Sequence, residues 1–517
     1  MSGPNPDKKR VLAIGLDSAD FRIVEWLLSN DRLSNIRSIF GVNLKELAST
    51  IPPNTAPSWT SMFTGVNPGK HGVYYFRNLD TGRLLSSKDV KMPYIWDRLT
   101  AVGVKSIIVN VPLTYPVKPM NGIMIAGLHA SSANPQSVYP ARLVEKVRQN
   151  YAFDIFDIEW SNSFLRDEAN AHKTFLDGDL RRTDFFIDLI SEEDWQLAVI
   201  VLTSLDRIQH LYWDSSASKG LGSTSPVVQN AYEFMDLLVG KIVKRSRELG
   251  DVMTFVVSDH GFERKDITVS VNDILEDASL LRSRRLSKNI DSLITTSYYK
   301  ISQVMPTRIG VPIGRVGRAI TSRLLGHSRE LSPVDFQQSV AYSYPYGLVK
   351  TTGTTSRGLP PARGASTERV AMILQQKFER LGLPIKVVSA GEVFWGNEVS
   401  RGPHLVLLPI DGVWYSNEVP IGGVKVSGNH SMHGILMSNV NLSSRTGTAR
   451  TWDIGATILD ALEYFPPEEF DGKSLICSNS PKSNLPRVVS EKYGLGSALS
   501  AEEESEISKR LKRLGYT

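Results

Sequence analysis

Apolar runs that end at metal-binding side chains constrain this sequence most strongly. The run Phe255-Val256-Val257 is apolar and largely β-branched, and it leads directly to Asp259 and His260. This composition is typical of a buried strand, and open α/β sheets place their sites at the carboxyl ends of such strands. Residues 11–16 form a second run of this kind, which ends at Asp17. The sequence therefore predicts a functional site at one edge of a sheet.

A third apolar run and a polar turn near the C-terminal end of the sequence supply further candidate metal-binding side chains. Residues 197–202 lead to Asp206, and His210 follows four residues later, on the same face of a helical turn. His430 lies in the turn Gly428-Asn429-His430. Aspartate and histidine are ligands of zinc and related divalent ions, so these positions predict a metal site.

Strands and helices alternate as far as about residue 265. Residues 106–111 are a predicted buried strand, and residues 226–249 are a predicted long amphipathic helix. Residues 22–40 also have the apolar spacing of a single helix. This alternation predicts an α/β fold in which a mostly parallel sheet is sandwiched by helices.

The composition of the sequence changes in the region 268–339, which is rich in arginine and interrupted by Gly and Pro. We interpret it as an inserted basic cap subdomain, and a solvated basic surface is the alternative. The predicted boundaries are 1–267 for the N-terminal part of the core, 268–339 for the cap, 340–480 for the C-terminal part of the core, and 481–517 for a tail helix.

Composition narrows the class of protein. A net charge of +5 on 517 residues argues for neither a nucleic-acid partner nor a membrane surface. The only cysteine is Cys477, so an intrachain disulfide and a cysteine-based zinc site are excluded. No apolar stretch approaches the ~20 residues of a membrane span. We expect a cytoplasmic location, and the oligomeric state stays open.

Thr55 is the candidate nucleophile. It lies between Pro53 and Pro57, which fix the backbone around it. A threonine hydroxyl needs a base or a metal to become a nucleophile, and a divalent ion also takes up charge on a substrate oxygen. The alternative is that Thr55 or Ser58 is only the N-cap of a helix. The two roles are compatible, because a helix N-terminus favours an incoming anion.

Taken together, the motifs resemble the alkaline phosphatase superfamily, in particular its type I phosphodiesterase/nucleotide pyrophosphatase-like branch. The likeness extends over nearly the whole chain and is weakest in the basic insertion. The motifs that carry it are Gly15-Leu16-Asp17, residues 53–61, residues 64–72, Asp206 with His210, Ser258-Asp259-His260-Gly261, Gly428-Asn429-His430, and residues 453–460 with 471–475.

The resemblance implies an alkaline-phosphatase-like core and two divalent metal ions. One ion would be held by Asp206, His210 and His430. The other would be held by Asp17, Asp259, His260 and the Thr55 oxygen. Thr55 would attack phosphorus to give a phospho-threonine that water then hydrolyses. The histidines favour Zn²⁺, although carboxylate-rich sites also take Mn²⁺.

Three assignments near these motifs need a choice. His433 competes with His430, and the resemblance favours His430. Nucleotide pyrophosphatases carry a phosphate-binding Asn downstream of the nucleophile; here Phe76 occupies that position, and Asn78, two residues on, is the candidate substrate-binding residue. Asp20 and Asp214 match no motif, and we interpret them as solvated.

The predicted function is that of a metal-dependent phosphoester hydrolase acting on a small anionic phosphoester, more in the manner of a phosphodiesterase or pyrophosphatase than of a monoesterase. A phosphomonoesterase, a phosphonate hydrolase or a phosphotransferase would use the same site. A non-catalytic binding protein with this fold is the remaining alternative, and the presence of Thr55 and all six ligands argues against it.

Overall fold

The computed structural model gives the chain as a large α/β body with a smaller sheet beside it. The residues that it describes are 9–41, 43–130, 132–153, 170, 172–213, 225–264, 267–282, 334–335, 338–352, 366–409, 413–415, 428–443, 447–476, 480–488, 499–500, 503–505 and 507–508.

A nine-stranded sheet forms the centre of the molecule. Its strands, in chain order, are β1 (Arg10–Leu16), β2 (Leu44–Ala48), β3 (Ser106–Val111), β4 (Gly122–Ala126), β5 (Val138–Tyr139), β6 (Leu197–Leu202), β7 (Val252–Val257), β16 (His433–Ser438) and β17 (Ala449–Arg450). Their spatial order is β17-β2-β16-β7-β1-β6-β3-β4-β5. The middle strands β7, β1, β6, β3 and β4 are parallel, and β16 and β5 pair antiparallel with their neighbours.

Eight further strands form smaller sheets. They are β8 (Gly261–Arg264), β9 (Ile267–Val269), β10 (Ala341–Tyr344), β11 (Leu348–Thr351), β12 (Ile385–Ser389), β13 (Leu405–Pro409), β14 (Val413–Tyr415) and β15 (Gly428–Ser431). Strands β10, β11, β13 and β12 make an antiparallel sheet, and β15 pairs with β8 beside the end of β7.

Helices pack against these sheets. They are α1 (Phe21–Ser29), α2 (Ser34–Phe40), α3 (Thr55–Thr64), α4 (Pro68–His71), α5 (Ile95–Thr100), α6 (Val144–Asn150), α7 (His172–Glu192), α8 (Ser204–Tyr212), α9 (Pro226–Glu248), α10 (Val271–Asp277), α11 (Thr367–Arg380), α12 (Ala390–Val393) and α13 (Asp453–Ala461). Short 3₁₀ turns cover Ser87–Asp89, Ala141–Leu143, Pro345–Gly347 and Val399–Arg401.

The sequence-based expectations for these elements are mostly confirmed. The strand over residues 106–111 and the helix over 226–249 are present, the latter ending at Glu248. The single helix expected over 22–40 is wrong. The chain turns at Asp31, whose φ of 55° lies in the left-handed region, and α1 and α2 are therefore separate.

The five parallel strands explain why the site forms at one edge of the sheet. Residues 11–14 on β1 and 197–202 on β6 are fully buried, so the strand ends are held in the core. A Cβ on Gly15 would lie 2.4 Å from the Trp59 ring, so glycine at this position lets α3 pack across the end of β1. This close approach sets the N-terminus of α3 beside the residues that follow β1.

These observations confirm the predicted α/β class with a mostly parallel central sheet between helices. The boundaries at 267, 339 and 480 stay predictions, because residues 283–333 of the expected cap and most of the expected tail helix lie outside the described residues. Within the part of the chain that the structure describes, no helix is both long enough and apolar enough to cross a membrane.

Candidate metal centre

Seven of the eight site residues expected from the sequence converge in the structure. Asp17 directly follows β1, Asp206 and His210 lie on α8, Asp259 and His260 lie between β7 and β8, His430 lies in β15, and Thr55 is the first residue of α3. The side chains of all but His210 are at most 1% exposed. Elements from both halves of the chain therefore build one buried cluster.

The first group, the imidazole-rich group, consists of Asp206, His210 and His430. His210 Nε2 lies 2.9 Å from His430 Nε2, and Asp206 Oδ1 lies 3.2 Å from His430 Nε2 and 3.5 Å from His210 Nε2. One atom from each residue lies within 4.8 Å of the others, as expected of ligands that surround one ion.

The second group, the carboxylate-rich group, consists of Asp17, Asp259, His260 and Thr55. His260 Nε2 lies 3.1 Å from Asp259 Oδ2, 3.9 Å from Asp17 Oδ1 and 3.2 Å from Thr55 Oγ1. The carboxylate of Asp206 is close enough to Asp17 and His260 to complete a ligand cluster there as well. Asp206 therefore lies between the two groups.

Two buried carboxylate oxygens test whether this cluster suits a cation. Asp17 Oδ1 is buried and accepts no hydrogen bond from the described residues, and the buried Asp259 Oδ2 lies 3.1 Å from His260 Nε2, which is itself a candidate ligand. The other oxygen of each carboxylate is fixed, because Trp59 Nε1 donates to Asp17 Oδ2 at 3.3 Å and the Ser18 N–H donates to Asp259 Oδ1 at 3.1 Å. Buried acceptors without donors are costly, so the residues present fit divalent ions.

The pKa values of the cluster reflect its excess of negative charge. Burial, followed by the carboxylates of Asp259 and Asp206, raises the pKa of Asp17 well above its ordinary value. Burial acts against the charged form of His260, but the Asp259 and Asp206 carboxylates outweigh it and raise the His260 pKa. Without a cation the protonated forms of Asp17 and His260 are favoured, so a divalent ion would bind there in competition with protons.

The imidazole-rich group differs in the charge that it holds. Burial alone would raise the pKa of Asp206, but His210 and then His430 lower it well below its ordinary value. Burial and the neighbouring His260 lower the pKa of His430 to about 3. His430 is therefore neutral, and because its Nδ1–H donates to the Pro53 carbonyl at 3.0 Å, its Nε2 keeps a lone pair for a metal.

Thr55 lies at the start of α3 but is not its cap. Asn54 is the N-cap, and its Oδ1 accepts from the Ala56 N–H at 3.3 Å. The N-cap interpretation of Thr55 and Ser58 is therefore wrong, since Ser58 instead hydrogen-bonds to Ser49 and Thr50. The Thr55 hydroxyl faces His260 at the positive end of the helix dipole.

A network around Asp20 joins the strands that carry the ligands. Asp20 is fully buried, and its Oδ2 accepts from the Phe262 N–H at 3.1 Å and from Ser431 Oγ at 2.8 Å. It also pairs with Arg22 at 2.9 Å. The interpretation of Asp20 as solvated is wrong, because two segments distant in sequence converge on its buried side chain. Asp214 lies outside the described residues.

The remaining assignments concern His433 and Asn78. The His433 side chain is 40% exposed, and its Nδ1 lies 2.7 Å from Glu46 Oε1, so His430 is the histidine that joins the cluster. The Asn78 side-chain oxygen accepts from the backbone N–H groups of Asp80 and Thr81 at 3.0 and 2.9 Å and closes a turn there. Its role in substrate binding stays a prediction.

Comparison with known proteins assigns the family. Residues 11–311, more than half of the chain, match the family model described as type I phosphodiesterase/nucleotide pyrophosphatase. The chain belongs to this family. It is a divalent-metal-dependent hydrolase of phosphoric ester or anhydride bonds, and the resemblance seen in its sequence is confirmed. Among curated proteins, none matches the chain.

Solved structures share its fold. Phosphonoacetate hydrolase from Sinorhizobium meliloti 1021, in complex with phosphonoformate, superposes with a TM-score of 0.54 at 14% identity, covering 88% of this chain and 95% of that one. Human ectonucleotide pyrophosphatase/phosphodiesterase 5 gives 0.52 at 12% identity, covering 90% and 97%. An inactive threonine-to-alanine variant of the murine protein, in complex with AMP, gives 0.50 at 12%, covering 88% and 95%. The alkaline-phosphatase-like fold is thus confirmed.

Proposed function

We propose that this family member hydrolyses a phosphodiester or a phosphoanhydride, with Thr55 as its nucleophile and with one divalent ion in each ligand group. The observation that carries the proposal is the position of Thr55 Oγ1, 3.2 Å from His260 Nε2 at the N-terminus of α3. A hydroxyl held among buried carboxylates and imidazoles has little other use in a hydrolase. When bound, the two ions would lower the pKa of this hydroxyl and stabilise the negative charge of the reacting phosphoryl group.

The protein's own contribution is to position the Thr55 hydroxyl and to orient the phosphoryl group of the substrate. Asn54 caps α3, so the Thr55 hydroxyl is not needed as a cap. The exposed N–H groups and dipole of the first helical turn favour the anionic phosphoryl group. Attack would join Thr55 Oγ1 to phosphorus while the bond to the leaving oxygen breaks, and water would then hydrolyse the phospho-threonine ester. The inactivity of a threonine-to-alanine variant of the murine relative supports a threonine in this role.

Zn²⁺ is the metal we propose for the imidazole-rich group, since imidazole nitrogens suit it well. The carboxylate-rich group offers two aspartates and would accept either Zn²⁺ or Mn²⁺. We propose no nucleic-acid polymer as substrate, because the net charge of the chain is only +5.

A phosphonate is the second candidate substrate class. The structure of phosphonoacetate hydrolase shares the fold over 88% of this chain, and a phosphonate, like a phosphodiester, presents anionic oxygens on a tetrahedral phosphorus. The protein would then cleave a carbon–phosphorus bond and not an oxygen–phosphorus bond. Relative turnover of phosphonoacetate and of a phosphodiester distinguishes this candidate from the first.

The experiment combines metal analysis with turnover. Wild type, Thr55→Ala and the matched control Thr55→Ser would be purified and their bound metals measured. Each would be assayed on bis-p-nitrophenyl phosphate, p-nitrophenyl phosphate and phosphonoacetate. We expect diester turnover to exceed monoester turnover. The kcat of Thr55→Ala should fall at least about 10³-fold, whereas Thr55→Ser, which keeps a hydroxyl, should retain part of the wild-type activity.

Four results would contradict the proposal. Full turnover by Thr55→Ala would show that Thr55 is not the nucleophile. A clear preference for p-nitrophenyl phosphate would replace the diester with a monoester, and a preference for phosphonoacetate would favour the second candidate. Wild-type protein that binds no divalent ion and turns over none of the three compounds would refute the enzymatic assignment of the site.

A further inference from the structure

A cavity lies apart from the metal centre. Its volume is about 580 Å³, which falls in the range of small-molecule sites. None of the proposed metal ligands lines it. It lies between the C-terminal part of the large sheet and the small sheet, and the residues used below are Ile51, Trp395, Leu408, Arg450, Trp452 and Lys473.

Two tryptophans give the cavity an aromatic wall. Their ring centroids are 6.0 Å apart, and their planes are almost perpendicular at 88°. Trp395 is 46% exposed. Its Nε1–H donates to Asp471 Oδ1 at 2.8 Å, so the exposed ring is held in one orientation. A fixed, exposed aromatic face is a platform on which a flat ring can stack.

Two cations lie beside this wall. Arg450 and Lys473 are both exposed, and among the described residues neither forms an ion pair. The Arg450 guanidinium lies 5.2 Å from the centre of the Trp452 ring, which orients it by a cation–π contact. These two charges are therefore available to an anion that enters the cavity.

The acidic residues of the cavity already serve the protein. Asp453 accepts the backbone N–H of Lys473 at 2.8 Å with one oxygen and that of Arg450 at 2.9 Å with the other. Asp471 accepts from Lys70 Nζ at 2.7 Å and from the Asn67 N–H at 2.9 Å. Glu392, the third acidic residue of the lining, accepts the Ser389 N–H at 2.8 Å. All three carboxylates are therefore engaged by donors of the protein itself, and Asp453 fixes the backbone of both cationic residues.

We propose that this cavity binds an organic phosphate that carries a flat ring. The ring would stack on Trp395, and the phosphate would be held by Arg450 and Lys473. Ile51 and Leu408 supply the apolar remainder of the lining. The site is independent of the proposed chemistry, although Ile51 lies only four residues before Thr55 in the sequence.

The test uses the full-length Thr55→Ala protein, stripped of metal with chelator, so that the probe is not hydrolysed and metal-dependent binding is removed. AMP is titrated while tryptophan fluorescence and heat are recorded. We expect one saturable site with a Kd at or below about 1 mM, weakened by salt. Inorganic phosphate and adenosine should each bind at least about tenfold more weakly, because each lacks one half of the ligand.

Variants locate the binding. Arg450→Gln with Lys473→Gln should raise the Kd at least tenfold, as should Trp395→Ala, whereas Trp395→Phe keeps a ring and should retain most of the affinity. The matched control is Lys244→Gln with Arg247→Gln, an exposed lysine and arginine on α9. Thermal melts establish that each variant is folded.

The control pair should leave the Kd unchanged, and an equal loss there would show non-specific charge binding and overturn the proposal. Absence of saturable binding would overturn it as well. So would affinity that folded Arg450→Gln/Lys473→Gln protein retains in full.

Discussion

The two ligand groups use the same types of side chain, yet their carboxyl groups are shifted in opposite directions. In the imidazole-rich group, His210 and His430 lower the pKa of Asp206. In the carboxylate-rich group, burial and two neighbouring carboxylates raise the pKa of Asp17. The balance of charge around a ligand, more than its residue type, decides how strongly each half of the site depends on a cation.

Asp206→Asn should give the largest effect, because Asp206 contacts both groups and its loss removes a ligand that they share. We expect kcat/KM to fall by more than about 10³-fold, since loss of an outer partner alone costs 10–100-fold. Bound metal, measured by elemental analysis, should also fall. Activity within tenfold of wild type would show that the two groups do not share this carboxylate.

His430→Ala tests the imidazole-rich group by itself. Loss of this buried imidazole should lower activity at least about 100-fold and reduce the bound metal. His433→Ala is the matched control, because His433 is three residues away, is 40% exposed and pairs only with Glu46 among the contacts described. The control should stay within about twofold of wild type, as expected for an exposed ion pair. Equal losses in both would refute the choice of His430.

Trp59→Phe tests the orientation of a ligand in the carboxylate-rich group. The substitution keeps the buried ring against Gly15 but removes the N–H that donates to Asp17 Oδ2. We expect metal affinity, measured by competition with a chromogenic chelator, to weaken about tenfold. The metal-free melting temperature should change by only a few degrees. Unchanged affinity would mean that Asp17 is fixed by other contacts.

Stability against pH gives the smallest expected effect. The raised pKa values of Asp17 and His260 mean that the unfolded chain gives up these protons at lower pH than the folded protein does. The stability of the metal-free protein should therefore fall as pH rises from about 4, the ordinary Asp value, through the raised folded pKa values. Asp17→Asn should flatten this decline by a few degrees in melting temperature. Saturating Zn²⁺ should abolish the decline in wild type.

If the stability of the metal-free protein instead rose as the pH rises above about 4, the pKa values of Asp17 and His260 would not be raised in the folded protein. The lowered pKa of Asp206 acts in the opposite sense, since its contribution is present above the ordinary value and is lost as pH falls below it. Melts extended below pH 4 should therefore show a second loss, and Asp206→Asn should remove part of it.

The residues that converge at the candidate site were identifiable from the sequence because the local pattern carried the information. Asp17 and Asp259 each follow an apolar run, and the four-residue spacing of Asp206 and His210 holds wherever a helix forms. Partners that depend on distant segments were not predictable. Asp20 contacts Phe262 and Ser431, and no feature near residue 20 indicates either.

The small sheet and the cavity beside Trp395 were not predicted from the sequence for the same reason. The pairing of hairpin β10–β11 with β13 depends on register between remote segments, which the local sequence pattern does not contain. The turn at Asp31 was missed because the apolar spacing continues on both sides of it. Trp395 and Trp452 meet only once both sheets are in place.

The position of β16 in the large sheet has a consequence for biosynthesis. This strand, at residues 433–438, fills the gap between β2 and β7, and His430 lies just before it. A nascent chain that has emerged only to residue 400 would thus have an open slot in its sheet and an incomplete metal centre. Pairings between residues this distant form slowly. Products of premature termination before residue 430 would accordingly lack both His430 and the strand that fills this gap in the sheet.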